Sequence, residues 1–398
     1  MNKFKFYFIL LITTVSLFSC SKNDTPTYEP PRDYAEQYKV DIAIIEDYLK
    51  TNYITVVDHP GFVDDQNVSI TKIDGGQPSI MSYKANAFVG STAFPQLWSK
   101  DVSQNNITYK LYYLVLREGK KDVVTGRGGV SPCNVDGVMT SYRGDYLELT
   151  AATATTDASL IATKFEEVVY PQSMISLFTT ISGWSETFPI FKTGSYTTKT
   201  DGTITHNDFG AGVMFLPSGL AYYNTGSGSI PAYSPLVFSF KLYELQRLDQ
   251  DNDGVFSYQE DLNNDGYMYV YANTTNYPTL PIDAIRYADD TDKDGVPNFL
   301  DVDDDGDNYT TRLEITKPTG TNSGLSAYFP YDPIVDNPMT TAIETETKGI
   351  PRKFTGPLFN PSLPESSTNL PTPQDSDYTD PLRLRRHLDA NCKPPYQN

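Results

Sequence analysis

The sequence predicts an α+β protein built from more than one domain. Its 398 residues indicate two or three domains, and the 39% apolar content is ample for a hydrophobic core. Residues 34–53 place Tyr38, Ile42, Ile45 and Leu49 at the i, i+4, i+7, i+11 spacing of an amphipathic helix. A set of short motifs between residues 108 and 246 indicates a sheet, argued below, and a sharply acidic stretch follows it. We therefore expect a helical region, a sheet domain and an acidic module, in that order.

The first nineteen residues have the composition of an export signal. Lys3 and Lys5 precede an apolar stretch, residues 6–18, that is too short to span a bilayer. It ends in LFSC, which resembles a bacterial lipoprotein box with Cys20 as the acylated residue. The sequence therefore predicts a lipid-anchored chain; the alternative is an ordinary secretory signal followed by a chance cysteine.

Charge and residue counts narrow the function classes. A net charge of −19 argues against nucleic acid as a partner, because phosphates need cationic side chains. The three histidines are far apart in the sequence and leave little for a zinc site or a Ser-His-Asp triad. Cys133 and Cys392 remain after lipidation. In an oxidising compartment they are expected either to form a disulfide or to stay as two thiols.

The motifs between residues 108 and 246 follow one another in a fixed order. They read YKLYYLVLREG at 109–119, SYRG at 141–144, ISGW at 181–184, PSGLAY at 217–222, IP at 230–231 and LVFSFKL at 236–242. This series resembles the FKBP-type peptidyl-prolyl cis-trans isomerase domain and covers about a third of the chain. The resemblance implies an antiparallel sheet wrapped on a short helix.

The resemblance also implies a pocket for a proline ring. Rotation about a peptide bond faces a barrier of about 18–20 kcal/mol, and a dry apolar pocket that favours the twisted amide lowers it without a nucleophile. The pocket residues carried over by position are Tyr142, Ile181, Trp184, Tyr222, Ile230 and Phe238. Trp184 would form the floor, while the Ile181 N–H and the Tyr222 hydroxyl would donate hydrogen bonds.

Two further residues align with the family less directly. Phe165 and Glu166 stand for its Phe-Asp pair across an apparent insertion at residues 149–164, and Thr180 replaces an aliphatic residue. The alternative interpretation is that all these aromatic residues only form a hydrophobic core.

The acidic stretch, residues 249–314, holds seventeen acidic side chains against three basic ones. Asp249, Asp251, Asp253, Gly254 and Glu260 fit the twelve-residue pattern D-x-[DN]-x-[DN]-G-x5-E. Ca²⁺ takes six to eight oxygen ligands, which alternating carboxylates supply, and the glycine allows the turn between them. The pattern predicts a structural Ca²⁺ site whose loading is coupled to folding.

A second acidic repeat, residues 290–307, resembles thrombospondin type 3 repeats, and a further loop runs from residue 303 to 314. The ligands predicted there are Asp290, Asp292, Asp294, Asp301, Asp303, Asp305, Asp307 and Glu314. A partial loop beginning at Asp261 lacks a closing acid, because its twelfth position is Ala272. The alternative to cation binding is a solvated acidic linker.

The sequence thus divides into a series of predicted regions. These are a signal peptide at 1–19, a tether at 20–33, an N-terminal region with the helix at 34–107, an FKBP-like domain at 108–246, calcium-binding repeats at 249–315 and an extended C-terminal segment at 316–398. A helix ahead of such a domain resembles lipoproteins of Bacteroidota, which implies an anchor in the bacterial outer membrane, on either face.

The function expected from the resemblance is isomerisation or chaperoning of proline-containing exported polypeptides. Two alternatives of other classes stay open. One is a non-catalytic scaffold subunit of an outer-membrane protein complex, and the other is a calcium-dependent surface-binding protein.

Overall fold

A computed structural model describes residues 30–124, 126–150, 152, 159–318, 326–334, 345–366 and 368–394. The chain divides into two units, residues 1–33 and 34–398, and the elements below belong to the second. The predicted signal peptide, Cys20 and most of the tether lie outside the described residues. Within the described ranges, no helix has both the length and the apolar character needed to cross a membrane.

The second unit is a mixed α+β structure, as predicted. Its described helices are α1 Tyr34–Thr51, α2 Ser182–Thr187, α3 Ala284–Tyr287, α4 Thr311–Glu314 and α5 Ser376–Thr379. Its described strands are β1 Asn52–Val56, β2 Val68–Lys72, β3 Gln96–Gln104, β4 Ile107–Arg117, β5 Gly137–Thr150, β6 Ser159–Val168, β7 Ile175–Ser176, β8 Ser195–Thr198, β9 Ile204–Asn207, β10 Gly210–Leu216 and β11 Leu236–Gln246.

The main sheet is antiparallel and has the strand order β3-β4-β10-β11-β5-β6, with β7 paired to β5. β10 lies near the middle and every one of its residues is buried. Its continuous apolar sequence GAGVMFL follows from that position, because both faces of the sheet are covered. Strands β1 with β2, and β8 with β9, form two separate hairpins.

Alternate side chains of the strands build two hydrophobic cores. In β4, Tyr109 and Leu111 belong to the core that contains Trp184 of α2. Tyr112 and Leu114 point to the other face and belong to the core that contains Ile45 of α1. The short helix α2 thus lies on one face of the sheet and α1 covers the other.

The predicted N-terminal helix is confirmed. It ends at Thr51 and not at residue 53, because Asn52 begins β1. The Asp41 carboxylate on this helix accepts hydrogen bonds of 2.8 and 2.6 Å from the Ser218 N–H and hydroxyl. The helix is therefore fixed to the loop after β10, one of the loops that carry pocket residues.

Two features of the sheet differ from the motif alignment. The sheet begins upstream of residue 108, since β3 pairs with β4 along its whole length. The apparent insertion at residues 149–164 lengthens a hairpin, in which β5 and β6 pair from Tyr142↔Val168 out to Thr150↔Ser159.

The disulfide considered for Cys133 and Cys392 is not formed. Both cysteines are free and buried. Cys133 packs in a small apolar cluster with Val135, Met268 and Phe299. Burial raises the pKa of Cys133 to about 12 and that of Cys392 to about 11. Each thiol therefore stays protonated in its own packing environment.

The C-terminal segment packs against the acidic module. Phe329, Ile350 and Phe354 form one buried cluster with Val255 and Ile315. The described parts of the segment thus contribute a small core of their own, although their local structure is mostly turns and isolated bridges.

Candidate functional site

The main cavity of the described structure has a volume of about 780 Å³ and opens beside α2. The pocket residues predicted from the motifs and found in its lining are Tyr142, Ile181, Trp184, Tyr222 and Phe238. Ile230 is not in the lining; it is buried in the core next to the cavity. The lining also contains the residues whose alignment with the family was less direct, Phe165, Glu166 and Thr180.

Four aromatic rings of the cavity lining pack against one another. Trp184 is 5% exposed and meets the Tyr142 ring at 5.0 Å and the Phe238 ring at 5.3 Å, both edge to face. Phe165 meets Phe238 in the same way at 5.6 Å. The Trp184 indole N–H has no hydrogen-bond partner among the described residues. These edge-to-face contacts form an apolar part of the lining, which we call the aromatic box.

Two glycines allow this packing. A Cβ at Gly144 would lie 2.3 Å from the Phe165 ring, and one at Gly183 would lie 2.4 Å from Leu216. Because Gly144 has no side chain, the Phe165 ring can lie against β5. Because Gly183 has none, α2 can pack closely against β10. Both glycines stand within the motifs read from the sequence.

The cavity lining also contains polar groups, among them the Glu166 carboxylate and the Tyr142 and Tyr222 hydroxyls. Burial raises the pKa of the Tyr142 hydroxyl, and its hydrogen bond to Glu166 raises it further. Burial likewise raises the pKa of Tyr222, and its hydroxyl also contacts Ser227. Both hydroxyls therefore stay protonated at neutral pH: the Tyr142 hydroxyl donates to Glu166, and the Tyr222 hydroxyl can donate to a ligand.

A second wall of the cavity comes from the acidic module. Residues of this wall in the lining are Tyr267, Met268, Tyr269, Val270, Asn273, Thr275, Asn276 and Tyr277. The rings of Tyr267, Tyr269 and Tyr271 follow one another at 4.6 and 5.2 Å. We call residues 267–279 the tyrosine wall. The motif resemblance ends at residue 246 and gave no indication of it.

Three asparagines hold the tyrosine wall on the sheet domain. The backbone N–H and the side chain of Asn105, at the β3–β4 turn, donate to the carbonyls of Asn276 and Thr275 at 2.6 and 2.8 Å. Asn106 pairs with Thr279, and Asn134 with Met268.

An ion pair between β3 and α2 also contacts the tyrosine wall. Glu186 of α2 lies 2.6 Å from the Lys100 ammonium, and the Tyr267 hydroxyl also hydrogen-bonds to Glu186. The Lys100 ammonium lies 5.5 Å from the centre of the Tyr267 ring. Burial, and then Glu186, raise the pKa of Tyr267. The wall is thus bound to α2 itself as well as to the sheet.

Four loops in the acidic module share one backbone geometry. We call them loop A (249–260), loop B (261–272), loop C (290–301) and loop D (303–314). In each loop the N–H of the sixth residue donates to the carboxylate of the first. These hydrogen bonds are Gly254 to Asp249 at 3.1 Å, Gly266 to Asp261 at 2.8 Å, Gly295 to Asp290 at 3.0 Å and Asn308 to Asp303 at 2.9 Å.

The sixth residue of each loop has a left-handed backbone conformation. Its φ is 104° at Gly254, 81° at Gly266, 98° at Gly295 and 73° at Asn308. Glycine and, less readily, asparagine adopt this conformation at low cost, which explains the residue types at these positions. Loop B has the same turn as the others although its twelfth position is an alanine.

The carboxylates of three loops converge. In four clusters each residue places one carboxylate oxygen within 4.8 Å of those of the others: Asp249 with Asp251 and Asp253; Asp253 with Glu260 and Asp304; Asp290 with Asp292 and Asp294; and Asp303 with Asp305 and Asp307. Among the described residues, the predicted ligands Asp301 and Glu314 join no such cluster.

Many of these oxygens are buried without a partner. Both oxygens of Glu260 and of Glu314 lack a hydrogen-bond partner among the described residues. Burial and neighbouring aspartates raise the pKa of Glu260 to about 12 and that of Glu314 to about 10. Buried carboxylates in such number are costly unless a cation offsets their charge. The donor set, oxygen alone, is the one that Ca²⁺ prefers.

Sequence reasoning missed two buried acids in the module. Asp304 stands between two predicted ligands of loop D and clusters with loop A. Asp289 is fully buried, and one of its oxygens accepts hydrogen bonds from the Leu262 N–H and the Asn263 amide of loop B. Neither acid occupies a ligand position of a loop motif, so only their burial identifies them.

Comparison with known proteins gives one family match. Residues 250–342 match the family described as BamM C-terminal. The match covers less than a quarter of the chain and includes loops B, C and D and nearly all of loop A. No curated protein matches the chain.

Solved structures resemble part of the chain at low identity. One is a peptidyl-prolyl cis-trans isomerase from Pseudomonas syringae, 19% identical over 42% of this chain and 90% of that protein, with a TM-score of 0.25. Another is FkpA from Escherichia coli, 22% identical over 34% of this chain and 48% of that protein, with a TM-score of 0.23.

Proposed function

We propose that this protein binds prolyl segments of exported polypeptides in the cavity beside α2 and promotes rotation about the X-Pro bond. The observation that carries this is the aromatic box. Trp184, Tyr142 and Phe238 pack edge to face in the lining of a cavity that also contains the Tyr222 hydroxyl.

The chain's own residues account for the chemistry. The aromatic box takes the proline ring and excludes water around the amide, which favours the twisted, less polar transition state over the planar ground state. The Tyr222 hydroxyl is a donor to the substrate carbonyl, and its high pKa keeps the proton on it. The reaction forms and breaks no covalent bond, so no nucleophile is needed.

The tyrosine wall extends the binding site beyond the pocket for the proline ring, so that the site becomes a groove. Its half-buried tyrosine rings line the same cavity as the aromatic box. Their flat faces can pack against the residues that flank the proline. Loop B ends within this wall, and its Asp265 carboxylate accepts from the Tyr267 N–H at 2.8 Å. Ca²⁺ in loop A, which directly precedes loop B in the chain, would stabilise the acidic module that carries the wall. The cation has a structural role in this proposal.

The proposed location is the bacterial outer membrane, with the chain anchored by lipid on Cys20. The match to the BamM C-terminal family supports an association with an outer-membrane protein complex. It also supports a second candidate function, a subunit of such a complex in which the pocket binds a partner segment without turnover.

An isomerase assay separates the two candidates. Cis–trans exchange of an X-Pro peptide is measured by NMR with the calcium-loaded protein. Trp184→Leu is expected to abolish the acceleration, and Tyr170→Phe, at an exposed tyrosine outside the cavity, should leave it unchanged. A folded wild-type protein that binds the peptide without accelerating exchange supports the subunit role. Co-purification of outer-membrane proteins in mild detergent then tests that role directly.

A further inference from the structure

Asp304 is a buried acid with no place in any loop motif. Its side chain is 1% exposed. The Thr311 hydroxyl lies nearby, but neither carboxylate oxygen has a hydrogen-bond partner of ordinary geometry among the described residues. A buried carboxylate of this kind is strongly destabilising unless it meets a compensating charge.

The carboxylate of Asp304 lies beside loop A and not with the carboxylate cluster of loop D. Its sequence neighbours Asp303 and Asp305 cluster with Asp307 in loop D. Asp304 lies between them but has its carboxylate within 4.8 Å of those of Asp253 and Glu260 in loop A. These two are 2% and 3% exposed, and both oxygens of Glu260 also lack partners.

We propose that Asp304 is a ligand of the divalent cation in loop A, which makes this a closed site built from two loops. The proposal rests on the structural Ca²⁺ of the proposed function and adds a ligand supplied from outside the twelve-residue pattern. Asp253, Glu260 and Asp304 each bring one carboxylate oxygen within 4.8 Å of the other two, and carboxylate oxygen is a ligand that Ca²⁺ prefers.

Loops A and D are already in contact, so the cation would join two surfaces that meet. The Arg312 guanidinium of loop D donates to the Asn252 carbonyl of loop A at 2.9 Å. Val255 and Ile315 pack in one cluster, and a Cβ at Gly254 would lie 2.7 Å from Ile315. A shared cation makes the folding of each loop depend on the other, because neither loop alone completes the ligand shell.

Calorimetric titration of Ca²⁺ into the chelated mature protein tests this assignment. Asp304→Ala removes both oxygens, and one cation site should be lost or weakened at least about ten-fold, since carboxylate number tunes affinity. Asp304→Asn keeps the shape and one neutral oxygen and should fall between wild type and Asp304→Ala. Asp283→Ala, at an exposed aspartate outside the loops, removes the same charge and should titrate like wild type.

The outcomes separate this inference from the proposed function. Wild-type protein that binds no Ca²⁺ overturns both the structural cation and the Asp304 ligand. Wild-type protein that binds Ca²⁺ while both Asp304 variants titrate like Asp283→Ala overturns only the Asp304 ligand. Should Asp304→Ala fail to fold by circular dichroism, Asp304→Asn decides: unchanged affinity of every site overturns the proposal.

Discussion

Asn134 and Met268 are joined by two buried hydrogen bonds of 2.8 Å. The Asn134 amide donates to the Met268 carbonyl, and the Met268 N–H donates to the Asn134 side-chain oxygen. The Asn134 side chain thus satisfies the backbone N–H and C=O of Met268, as a neighbouring strand would in a sheet. This pair fixes the tyrosine wall beside the aromatic box.

Replacing Asn134 with alanine should loosen the wall. Both Met268 backbone groups would stay buried without a partner, which costs about 1–3 kcal/mol. We expect faster amide hydrogen exchange in residues 267–279 and weaker binding of an X-Pro peptide. Asn106→Ala is the matched control, because it removes a similar pair with Thr279 that is exposed. Equal exchange in the two variants would contradict an anchoring role for Asn134.

Chelation of Ca²⁺ should destabilise the protein strongly. A ligand at 100 times its dissociation constant stabilises the fold by about 2.7 kcal/mol per site, and the acidic module offers several clusters. Differential scanning calorimetry before and after EDTA should therefore record a lower melting temperature, which added Ca²⁺ restores. A melting curve that EDTA does not move would refute the structural cation.

Tyr222→Phe should slow isomerisation about ten-fold, or roughly 1.4 kcal/mol, if its hydroxyl donates to the substrate carbonyl. The ring remains, so the fold should be unchanged by circular dichroism. Tyr170→Phe tests for a general effect of losing a tyrosine hydroxyl and should retain full activity. Wild-type rates in Tyr222→Phe would remove this hydroxyl from the mechanism.

His206 should make stability depend on pH below neutrality. It stacks on Tyr243 at 4.3 Å, and burial lowers its pKa below the ordinary value of 6.5. As the pH falls below about 6.5, the unfolded chain takes up a proton that the folded chain does not, so stability falls. His206→Phe keeps the ring and should flatten this part of the curve. Urea unfolding between pH 7.5 and about 5.5 at saturating Ca²⁺ measures the difference between the two proteins.

Cys20→Ser should release the protein from membranes, because the LFSC sequence predicts acylation of this cysteine. The measurement is fractionation of cells that express each form, followed by immunoblotting. Cys133→Ser serves as a control, since this buried thiol is far from the signal in sequence. If Cys20→Ser still sediments with membranes, the lipid anchor is wrong.

The sequence by itself determined the local elements of this protein. The apolar spacing around Ile45 and Leu49 predicted α1, and these two residues are fully buried against the sheet. The alternation of aspartate with glycine predicted the turns at Gly254 and Gly295, because only a few residue types tolerate φ near 100°. Such features depend on neighbours within about a dozen residues, so their pattern is visible in the chain.

Tertiary structure alone decided which of these elements meet. Nothing near Met268 indicates that Asn134 would pair with it, and no motif assigns Asp304 to loop A. The same holds for Cys133 and Cys392, which packing leaves as separate thiols. Contacts between distant segments depend on how several surfaces pack together, and hydrophobic periodicity and motif spacing carry no information about that packing.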